Sequence, residues 1–157
     1  MELHVETQAD GPEVEALLDT CFAPGRTALS SYRLRDGVPP ARDLCIVARG
    51  RAGEVAGAIR FWPVRVESRD AMLLGPVAVH PTRQGEGLGA FLIQSGLDRA
   101  DAAGVERVLL VGDAPYYSRF GFTRLDGVIM PPPTNPARVL GVWDWDGVTG
   151  EVTRVPT

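Results

Sequence analysis

Three glycines at alternate positions make the segment Gln84-Gly85-Glu86-Gly87-Leu88-Gly89-Ala90 the best candidate in this sequence for binding an anion. Glycine has no Cβ, so the backbone N–H groups of such a turn can approach a ligand closely. A helix that begins here adds free N–H groups and the positive end of its dipole, which favour a phosphate or pyrophosphate. The segment is not a P-loop, because no Lys-Ser or Lys-Thr follows it.

The same turn also fits the dinucleotide-binding fingerprint G-x-G-x-x-A, at Gly85, Gly87 and Ala90. Asp113 stands about 20 residues further on, as that fingerprint requires. However, Pro81 to Gln84 separate the glycines from the preceding strand, and that strand is interrupted. A nucleotide- or dinucleotide-binding domain therefore stays an alternative, as does a helix entry that merely needs flexible residues.

The interruption is Gly75-Pro76, inside the apolar run Leu73 to Val79. Proline cannot donate to a strand ladder, so a proline in a strand interior indicates an edge or a bulge. If Val108 to Val111 forms the next strand, the two strands diverge after the bulge. The backbone groups of Val77 to Val79 are then free to pair with an extended ligand. On this feature alone, an ordinary edge strand that ends early is the favoured interpretation.

An aromatic segment, Tyr116 to Phe122, follows that next strand. Tyr116, Phe120 and Phe122 suit a core, and Gly121 suits the end of a short helix. The hydroxyl of Tyr117 needs a partner or water if it is buried. A phenol that faces a cleft can also donate a proton to a leaving group.

The elements around these segments follow from apolar periodicity and turn residues. We expect strands at 3–7, 44–48, 55–66, 71–79 and 108–111, and helices from Asp10 through Phe22, over 28–35 and over 87–103. Asp10 is the expected helix cap, and Pro24-Gly25 the expected end of the first helix. A closing hairpin is predicted from Val139–Trp145 and Val148–Val155 around Asp146-Gly147. The result is a mixed α/β sheet with one parallel, right-handed crossover.

Length and composition exclude several classes of protein. The 157 residues and 16.9 kDa suit a single domain over 1–157. No apolar run approaches the roughly 18 residues of a membrane span, and the acidic N-terminus is no signal peptide. A net charge of −4 disfavours a nucleic-acid binder. Cys21 and Cys45 lack metal-ligand spacing, so we expect no metal and two reduced core cysteines in a cytoplasmic protein.

Together, these features resemble the GNAT superfamily of acetyl-CoA-dependent N-acyltransferases, in particular a bacterial single-domain subgroup. The resemblance covers roughly Leu44 to Phe122. The segment Gln84 to Gly89 fits the family's pyrophosphate loop, and Gly75 to Pro81 looks like its bulged fourth strand and the loop beyond. The segment Tyr116 to Phe122 resembles the family's aromatic motif, which ends in glycine and phenylalanine.

The resemblance implies a mostly antiparallel central sheet flanked by helices, with a bulged strand and a splayed parallel pair. It also implies acetyl-CoA as co-substrate, with no metal. The pantetheine arm would pair with the backbone of Val77 and Val79, within the cofactor-binding stretch Val77, Ala78 and Val79. Tyr117 would protonate the departing CoA thiolate, acting as the catalytic acid. The residues implied for the pyrophosphate are Gln84, Gly85, Glu86, Gly87, Leu88, Gly89 and Ala90.

Two departures from the family's pattern leave the general base unassigned. The frequent Asn-x-x-Ala stretch before the tyrosine is missing, and so is the fourth-strand glutamate of some members. His80, Glu67 and Asp113 are weak candidates for the base, for which a surface or turn role is favoured. The sequence therefore suits an acceptor that loses its proton easily, an α-amino group rather than a lysine side chain.

The acceptor itself is a small-molecule or peptide amine that the sequence does not name. The irregular segments Pro24 to Arg42 and Val128 to Pro136 would line its site. The arginines of the first segment could bind an acidic acceptor, although a solvated face is favoured: Arg26, Arg33, Arg35 and Arg42. Trp143 and Trp145 could supply a homodimer contact. A non-catalytic acyl-CoA-binding module of the same fold stays open.

Overall fold

A computed structural model describes residues 1–22 and 30–156 of the chain. In this part the helices are α1 (Gly11–Phe22), α2 (Ser30–Arg33), α3 (Leu88–Ala102) and α4 (Ala114–Tyr117). The strands are β1 (Glu2–Val5), β2 (Ile46–Arg49), β3 (Val55–Val66), β4 (Arg69–Val79), β5 (Arg107–Val111), β6 (Thr123–Arg124), β7 (Val128–Ile129), β8 (Val139–Trp143) and β9 (Gly150–Arg154).

The described residues fall into two units, each with its own hydrophobic core. The first unit contains residues 1–22, 40–61 and 75–103, and the second contains residues 30–39, 62–74 and 104–156. Strands β3 and β4 each contribute residues to both units. The expectation of a single domain stays a prediction.

In the first unit, β1 pairs antiparallel with β2, and β2 pairs antiparallel with residues 55–59 of β3. Helix α1 buries Val14, Leu17 and Leu18 in one core cluster with β2 and β3. Helix α3 buries Ile93, Leu97 and Ala100, as the periodicity predicts. No helix in the described residues is long and apolar enough to cross a membrane.

In the second unit, Met72 and Leu73 of β4 pair in parallel with Val108 and Leu109 of β5. Strand β8 lies antiparallel between β5 and β6, and β9 pairs antiparallel with β3 and parallel with β7. The predicted mixed, mostly antiparallel sheet with a parallel β4–β5 pair is therefore confirmed. The handedness of the crossover stays a prediction.

The predicted closing hairpin is wrong. The structure forms both strands, but β8 pairs with β5 and β6 whereas β9 pairs with β3 and β7. Asp146-Gly147 does lie in a turn, in which Val148 donates to the carbonyl of Trp145. Trp143, at a φ of 73°, already redirects the chain before that turn. The two strands thus reach different partners.

The predicted start of the first helix is confirmed, because α1 begins at Gly11, but the capping role predicted for Asp10 is wrong. Asp10 is the last residue of a short 3-10 turn, Gln8–Asp10, whose cap is Thr7. Its carboxylate accepts the Thr7 backbone N–H at 2.7 Å and the Thr7 hydroxyl at 3.0 Å. Because Thr7 starts this turn, β1 ends at Val5. Phe22 follows the buried residues of α1 at helical spacing, which predicts that it faces the core, but it is 44% exposed. The predicted helix end at Pro24-Gly25 lies outside the described residues.

Candidate functional site

One edge of β4 offers its backbone polar groups to a ligand. The His80 N–H donates to the carbonyl of Ala56 in β3 at 2.8 Å. Backbone groups of successive strand residues point to alternate sides, so Ala78 shares the direction of His80 toward β3. Val77 and Val79 point the opposite way. We call the backbone N–H and carbonyl groups of Val77 and Val79 the outer edge of β4.

A side-chain contact confirms the direction of the outer edge. The Cys21 thiol, at the end of α1, donates to the Val79 carbonyl at 3.3 Å, and the Gln84 amide approaches the same oxygen at 3.5 Å. Burial raises the pKa of the half-buried Cys21 thiol, and the bond to Val79 offsets this in part. Cys21 therefore stays a neutral donor. Cys45 is buried as expected, and burial raises the pKa of its thiol to about 11.

The strand is irregular where Gly75-Pro76 interrupts it. Gly75 has a φ of 126°, which is outside the range of an extended strand. The recorded pairing of β4 with β5 comprises Met72 and Leu73, which precede this glycine. The irregularity therefore separates the part of β4 that pairs with β5 from the part that carries the outer edge.

The glycine-rich turn follows the outer edge after a short 3-10 turn at Pro81–Arg83. Gly85 and Gly87 have φ values of 87° and 79°, so any other residue would be strained at either position. A Cβ on either glycine would meet no atom within 4 Å, so the space above the turn is open. Backbone conformation, not crowding, therefore requires these glycines.

Gly87 is also the N-cap of helix α3, so the glycine-rich turn lies at the positive end of the helix dipole. Phe91 donates to the Gly87 carbonyl at 3.1 Å, which is the first hydrogen bond of the helix. The N–H groups of the preceding three residues have no carbonyl one turn earlier, as at every helix start. Such a start is suited to an anion. The buried Leu88 side chain anchors the turn to the core.

The charged residues beside the turn are paired with one another. Arg83 binds Glu54 at 2.9 Å, and it lies 3.8 Å from Glu86 of the turn itself. Arg83 is the cationic residue closest in sequence to these glycines, two positions before Gly85. Its pairing leaves the turn to bind an anion mainly through backbone N–H groups.

Tyr117 lies in the second unit, on the short helix that follows β5. Asp113 caps this helix and accepts the Tyr116 N–H at 3.3 Å. The Tyr117 ring packs edge-on against Tyr116 and Phe122, with centroids 5.0 and 5.9 Å away. A Cβ on Gly112 would lie 2.5 Å from the Tyr117 ring, so the ring covers the backbone at the end of β5.

The environment of Tyr117 keeps its hydroxyl protonated. Burial is the main cause that raises the pKa of this phenol above its ordinary value, and Tyr116 raises it further. Arg138 lowers it by a smaller amount. At neutral pH, Tyr117 is therefore a proton donor and not a phenolate.

Each of the three candidate bases has a structural contact. His80 Nδ1 accepts the Thr82 N–H at 3.2 Å and lies 2.8 Å from the Thr82 hydroxyl. Asp113 caps α4, so both of these residues serve local turns, whereas Glu67 accepts the N–H of Glu151 in β9 at 3.3 Å. These contacts favour structural roles over catalysis. In the described residues, no three His, Cys, Asp or Glu side chains group in a way that could hold a metal ion.

The predicted acceptor segments are described in part. Residues 23–29, including Arg26, lie outside the described residues. Arg35 stacks on the rings of Tyr32 and Trp62, with its guanidinium carbon 3.7 and 4.6 Å from their centroids. Arg33 and Arg42 are exposed, which fits a solvated face. The segment from Val128 includes β7 and a proline-rich loop.

The tryptophans considered for a dimer contact differ in exposure. The Trp145 indole N–H donates to the carbonyls of Val142 at 3.0 Å and Val108 at 3.3 Å. The ring packs against the core of the second unit. Trp143 is 39% exposed. Trp145 is therefore engaged within its own unit.

Sequence reasoning missed two residues of this site, Cys21 and Gly112. Cys21 is 58 positions from Val79, and no local pattern indicates such a contact. Gly112 directly precedes Asp113 and resembles any glycine at a strand end. Only the Tyr117 ring above it explains why a side chain is excluded there.

Residues 12–122 match the model of the acetyltransferase (GNAT) family. The uncharacterized N-acetyltransferase YhbS of Escherichia coli K12 is 37% identical over 125 residues, which cover 78% of this chain and 73% of YhbS.

Two solved structures are also similar. The crystal structure of the GNAT family N-acetyltransferase YhbS from Escherichia coli in complex with CoA has a TM-score of 0.82 and 31% identity, covering 98% of this chain and 89% of that one. A GNAT family acetyltransferase from Brucella melitensis in complex with acetyl-CoA has a TM-score of 0.73 and 29% identity, covering 98% and 95%.

Proposed function

The chain belongs to the GNAT acetyltransferase family, and from this premise we propose that it transfers an acetyl group from acetyl-CoA to a primary amine. The observation that carries the proposal is the outer edge of β4, followed within six residues by the glycine-rich turn. This order suits a ligand that combines an amide-containing arm with a pyrophosphate. The CoA and acetyl-CoA complexes of the similar structures support the same co-substrate.

The pantetheine arm would form strand-like hydrogen bonds with Val77 and Val79. Ala78 belongs to the same stretch, but its backbone faces β3, so its part is to keep the strand in place. The pyrophosphate would accept hydrogen bonds from the turn and the start of α3. The proposed binding residues there are Gln84, Gly85, Glu86, Gly87, Leu88, Gly89 and Ala90.

In the proposed reaction, a neutral amine attacks the thioester carbonyl directly. A C–N bond forms and the C–S bond breaks. A backbone N–H near Val79 would stabilise the oxyanion, since preorganised donors act where charge develops. Tyr117 would give its proton to the departing CoA thiolate and recover one from solvent. Its place in the proposal rests on the family resemblance, since burial keeps the phenol protonated but also makes it a weaker acid than an exposed tyrosine.

The acceptor we propose is an α-amino group or another weakly basic amine. Deprotonation of a lysine-like amine with a pKa of about 10.4 costs roughly 4.6 kcal/mol at pH 7. An α-amino group with a pKa of about 7.7–8.0 needs only about 1–1.4 kcal/mol. His80 and Asp113 are engaged in local turns and Glu67 accepts the Glu151 N–H, so water would carry the proton away.

Ligand-induced stabilisation tests the co-substrate. Acetyl-CoA should raise the Tm, because a ligand at a hundredfold excess over its Kd stabilises the native state by about 2.7 kcal/mol. Gly87→Asp should abolish this shift by placing negative charge where the pyrophosphate binds. Gly104→Asp is the matched control, since Gly104 also has a positive φ of 83° and open space above it. A shift with NAD but not with acetyl-CoA would overturn the proposal.

Release of CoA thiol with a panel of amines tests the reaction itself. The panel should pair acceptors of matched shape that differ in amine pKa, with kcat/KM measured across about pH 6–9. We expect turnover to rise with pH as the free acceptor loses its proton, and the weakly basic amines to react best at pH 7. Binding of acetyl-CoA with no thiol release for any amine would indicate a non-catalytic acyl-CoA-binding module instead.

A further inference from the structure

Strand β1 has one edge without a strand partner among the described residues. It pairs with β2 alone, and the register places Val5 opposite Ile46. The Glu6 N–H continues this register by donating to the Cys45 carbonyl at 2.8 Å. By alternation, Leu3 and Val5 then point their N–H and carbonyl groups away from β2. An edge of this kind is a template for adding a strand.

An apolar groove of about 400 Å³ lies along this edge. Its walls come from β1, from Ile46 of β2 and from the face of α3 that carries Phe91, Ser95 and Arg99. Phe91 and Met1, which line the groove, are among the most exposed large apolar side chains described, at 57% and 53%. An apolar surface beside an open strand edge marks an interaction site.

We infer that this edge binds the same edge of a second copy of the chain, as an antiparallel β1–β1 pair that forms a two-fold dimer. Charge and register select the occupant. With Leu3 opposite the partner's Leu3, Glu2 lies opposite the partner's His4, and Val5 lies opposite the partner's Met1. The apolar side chains of β1 then share one face with Phe91.

The next register in either direction fits less well. A shift that places Leu3 opposite the partner's Val5 also places Glu2 opposite the partner's Glu6, and like charges directly opposite destabilise a pair. A shift toward the N-terminus places Glu2 opposite the partner's Glu2, again like charges directly opposite one another. The Leu3-centred register therefore pairs all of residues 1–5, and the same patch serves both copies, as a two-fold interface requires.

Sedimentation velocity across a range of protein concentrations tests this dimer. The wild-type chain should be dimeric, and Phe91→Glu should shift it to monomer. Ile129→Glu is the matched control, because Ile129 is equally exposed at 58% but lies elsewhere, and this variant should stay dimeric. Leu3→Pro removes an N–H that faces the partner and not β2, so it should also give a folded monomer.

A cysteine introduced at one position of β1 tests the register by cross-linking, and this readout does not depend on unfolding. Residues that exchange both hydrogen bonds have Cα atoms about 5.5 Å apart, within disulfide range. Leu3→Cys should therefore form a covalent dimer on mild oxidation, whereas Val5→Cys should not. A monomeric wild-type chain at every concentration would overturn the proposal. So would a dimer that survives both Phe91→Glu and Leu3→Pro, or equal cross-linking of the two cysteine variants.

Discussion

The β1–α1 junction and the outer edge of β4 lie in the same unit but satisfy their polar groups in opposite ways. At the junction, acidic and basic side chains pair closely: Glu6, Asp10, Glu13, Glu15, Arg49 and Arg60. We call this set the polar junction. The outer edge and the glycine-rich turn use backbone groups, with open space above the glycines.

The difference indicates that the polar junction stabilises the fold, whereas the outer edge and the glycine-rich turn are suited to a ligand. In the polar junction the acidic and basic side chains bind one another. These ion pairs hold α1 and β1 against the sheet and leave few charged groups for a ligand. The outer edge presents backbone groups instead, of which the Val79 carbonyl already accepts from the side chains of Cys21 and Gln84. Variants of the junction should therefore change stability alone, and variants of the outer edge and its turn should change ligand binding alone.

The largest expected effect comes from Arg60→Met in the polar junction. Arg60 holds the buried Glu6 carboxylate through two hydrogen bonds, of 2.9 and 3.0 Å. Removing one partner of a buried pair costs about 3–5 kcal/mol, because the other charge stays buried without compensation. Chemical denaturation should show this loss of unfolding free energy, with the Kd for acetyl-CoA unchanged.

The double variant Glu6→Leu/Arg60→Met is the control for this prediction. It leaves no buried charge alone, so it should recover much of the lost stability. A single variant as stable as the wild-type chain would show that Glu6 reaches water or a second cation. A raised Kd for acetyl-CoA would break the division between the two regions.

The next effect concerns Asp10, whose pKa is held well below its ordinary value of 3.8. Burial alone would raise the pKa. Hydrogen bonds from the Thr7 N–H, Arg49, the Thr7 hydroxyl and His4 together lower it by more than burial raises it. The ionised form is thus favoured in the folded state. This contribution to stability is complete above about pH 4 and is lost as pH falls below it.

Asp10→Asn should lower the unfolding free energy at pH 7 by about 1.5–3 kcal/mol, the range for hydrogen bonds to charged groups. It should also flatten the acid side of the stability profile, measured by denaturation from pH 7 downward. An unchanged acid profile in this variant would assign the acid sensitivity to another carboxylate of the junction, and the first to test is Glu13, whose pKa is lowered by its hydrogen bond with Arg49.

Tyr117→Phe should change neither the unfolding free energy, as variants of the polar junction do, nor the Kd for acetyl-CoA, as variants of the glycine-rich turn do. It should lower the turnover alone. General acids contribute about 10²–10⁴-fold, and a thiol with a pKa of about 8.5 leaves easily, so the low end applies. We expect kcat to fall roughly 10–100-fold, or about 1.4–2.7 kcal/mol in barrier. Steady-state kinetics measures this, and full turnover would make Tyr117 a packing residue only.

The smallest effect is expected for Cys21→Ala, which links α1 to the outer edge. The variant removes one weak S–H donor from the Val79 carbonyl, which keeps the Gln84 amide as a second donor. The unfolding free energy should fall by less than about 1 kcal/mol, and the Kd for acetyl-CoA should change little. A large rise in Kd would show that Cys21 orients the outer edge for the ligand.

Several elements were predictable from the sequence because local patterns specify them. Strand β3 occupies Val55–Val66 as predicted, since its apolar and β-branched run is bounded by a glycine turn. Helix α3 begins after Gly87 and ends before Gly104, where the glycines suit its ends. The glycine-rich turn follows from the same local rules.

The pairing of distant segments was decided by the tertiary structure. The final two strands were identified, but their partners were not, because a period-two pattern says which face is buried and not which strand lies alongside. The same limit hid the contact of Cys21 with Val79. Asp10 was misassigned because Thr7, three residues earlier, offers its N–H to the same carboxylate.

The sequence by itself therefore determined the elements and the glycine-rich turn, which depend on residues within a few positions of one another, and the family resemblance, which depends on motifs between Leu44 and Phe122. The resemblance implied that a ligand pairs with Val77 and Val79, but only the tertiary structure decided to which side of β4 these two residues present their backbone groups. That choice depends on which neighbour takes the His80 N–H, and the partner, Ala56, is 24 positions away. Hydrogen bonds between distant strands are specified by the whole sheet, so no local pattern encodes them.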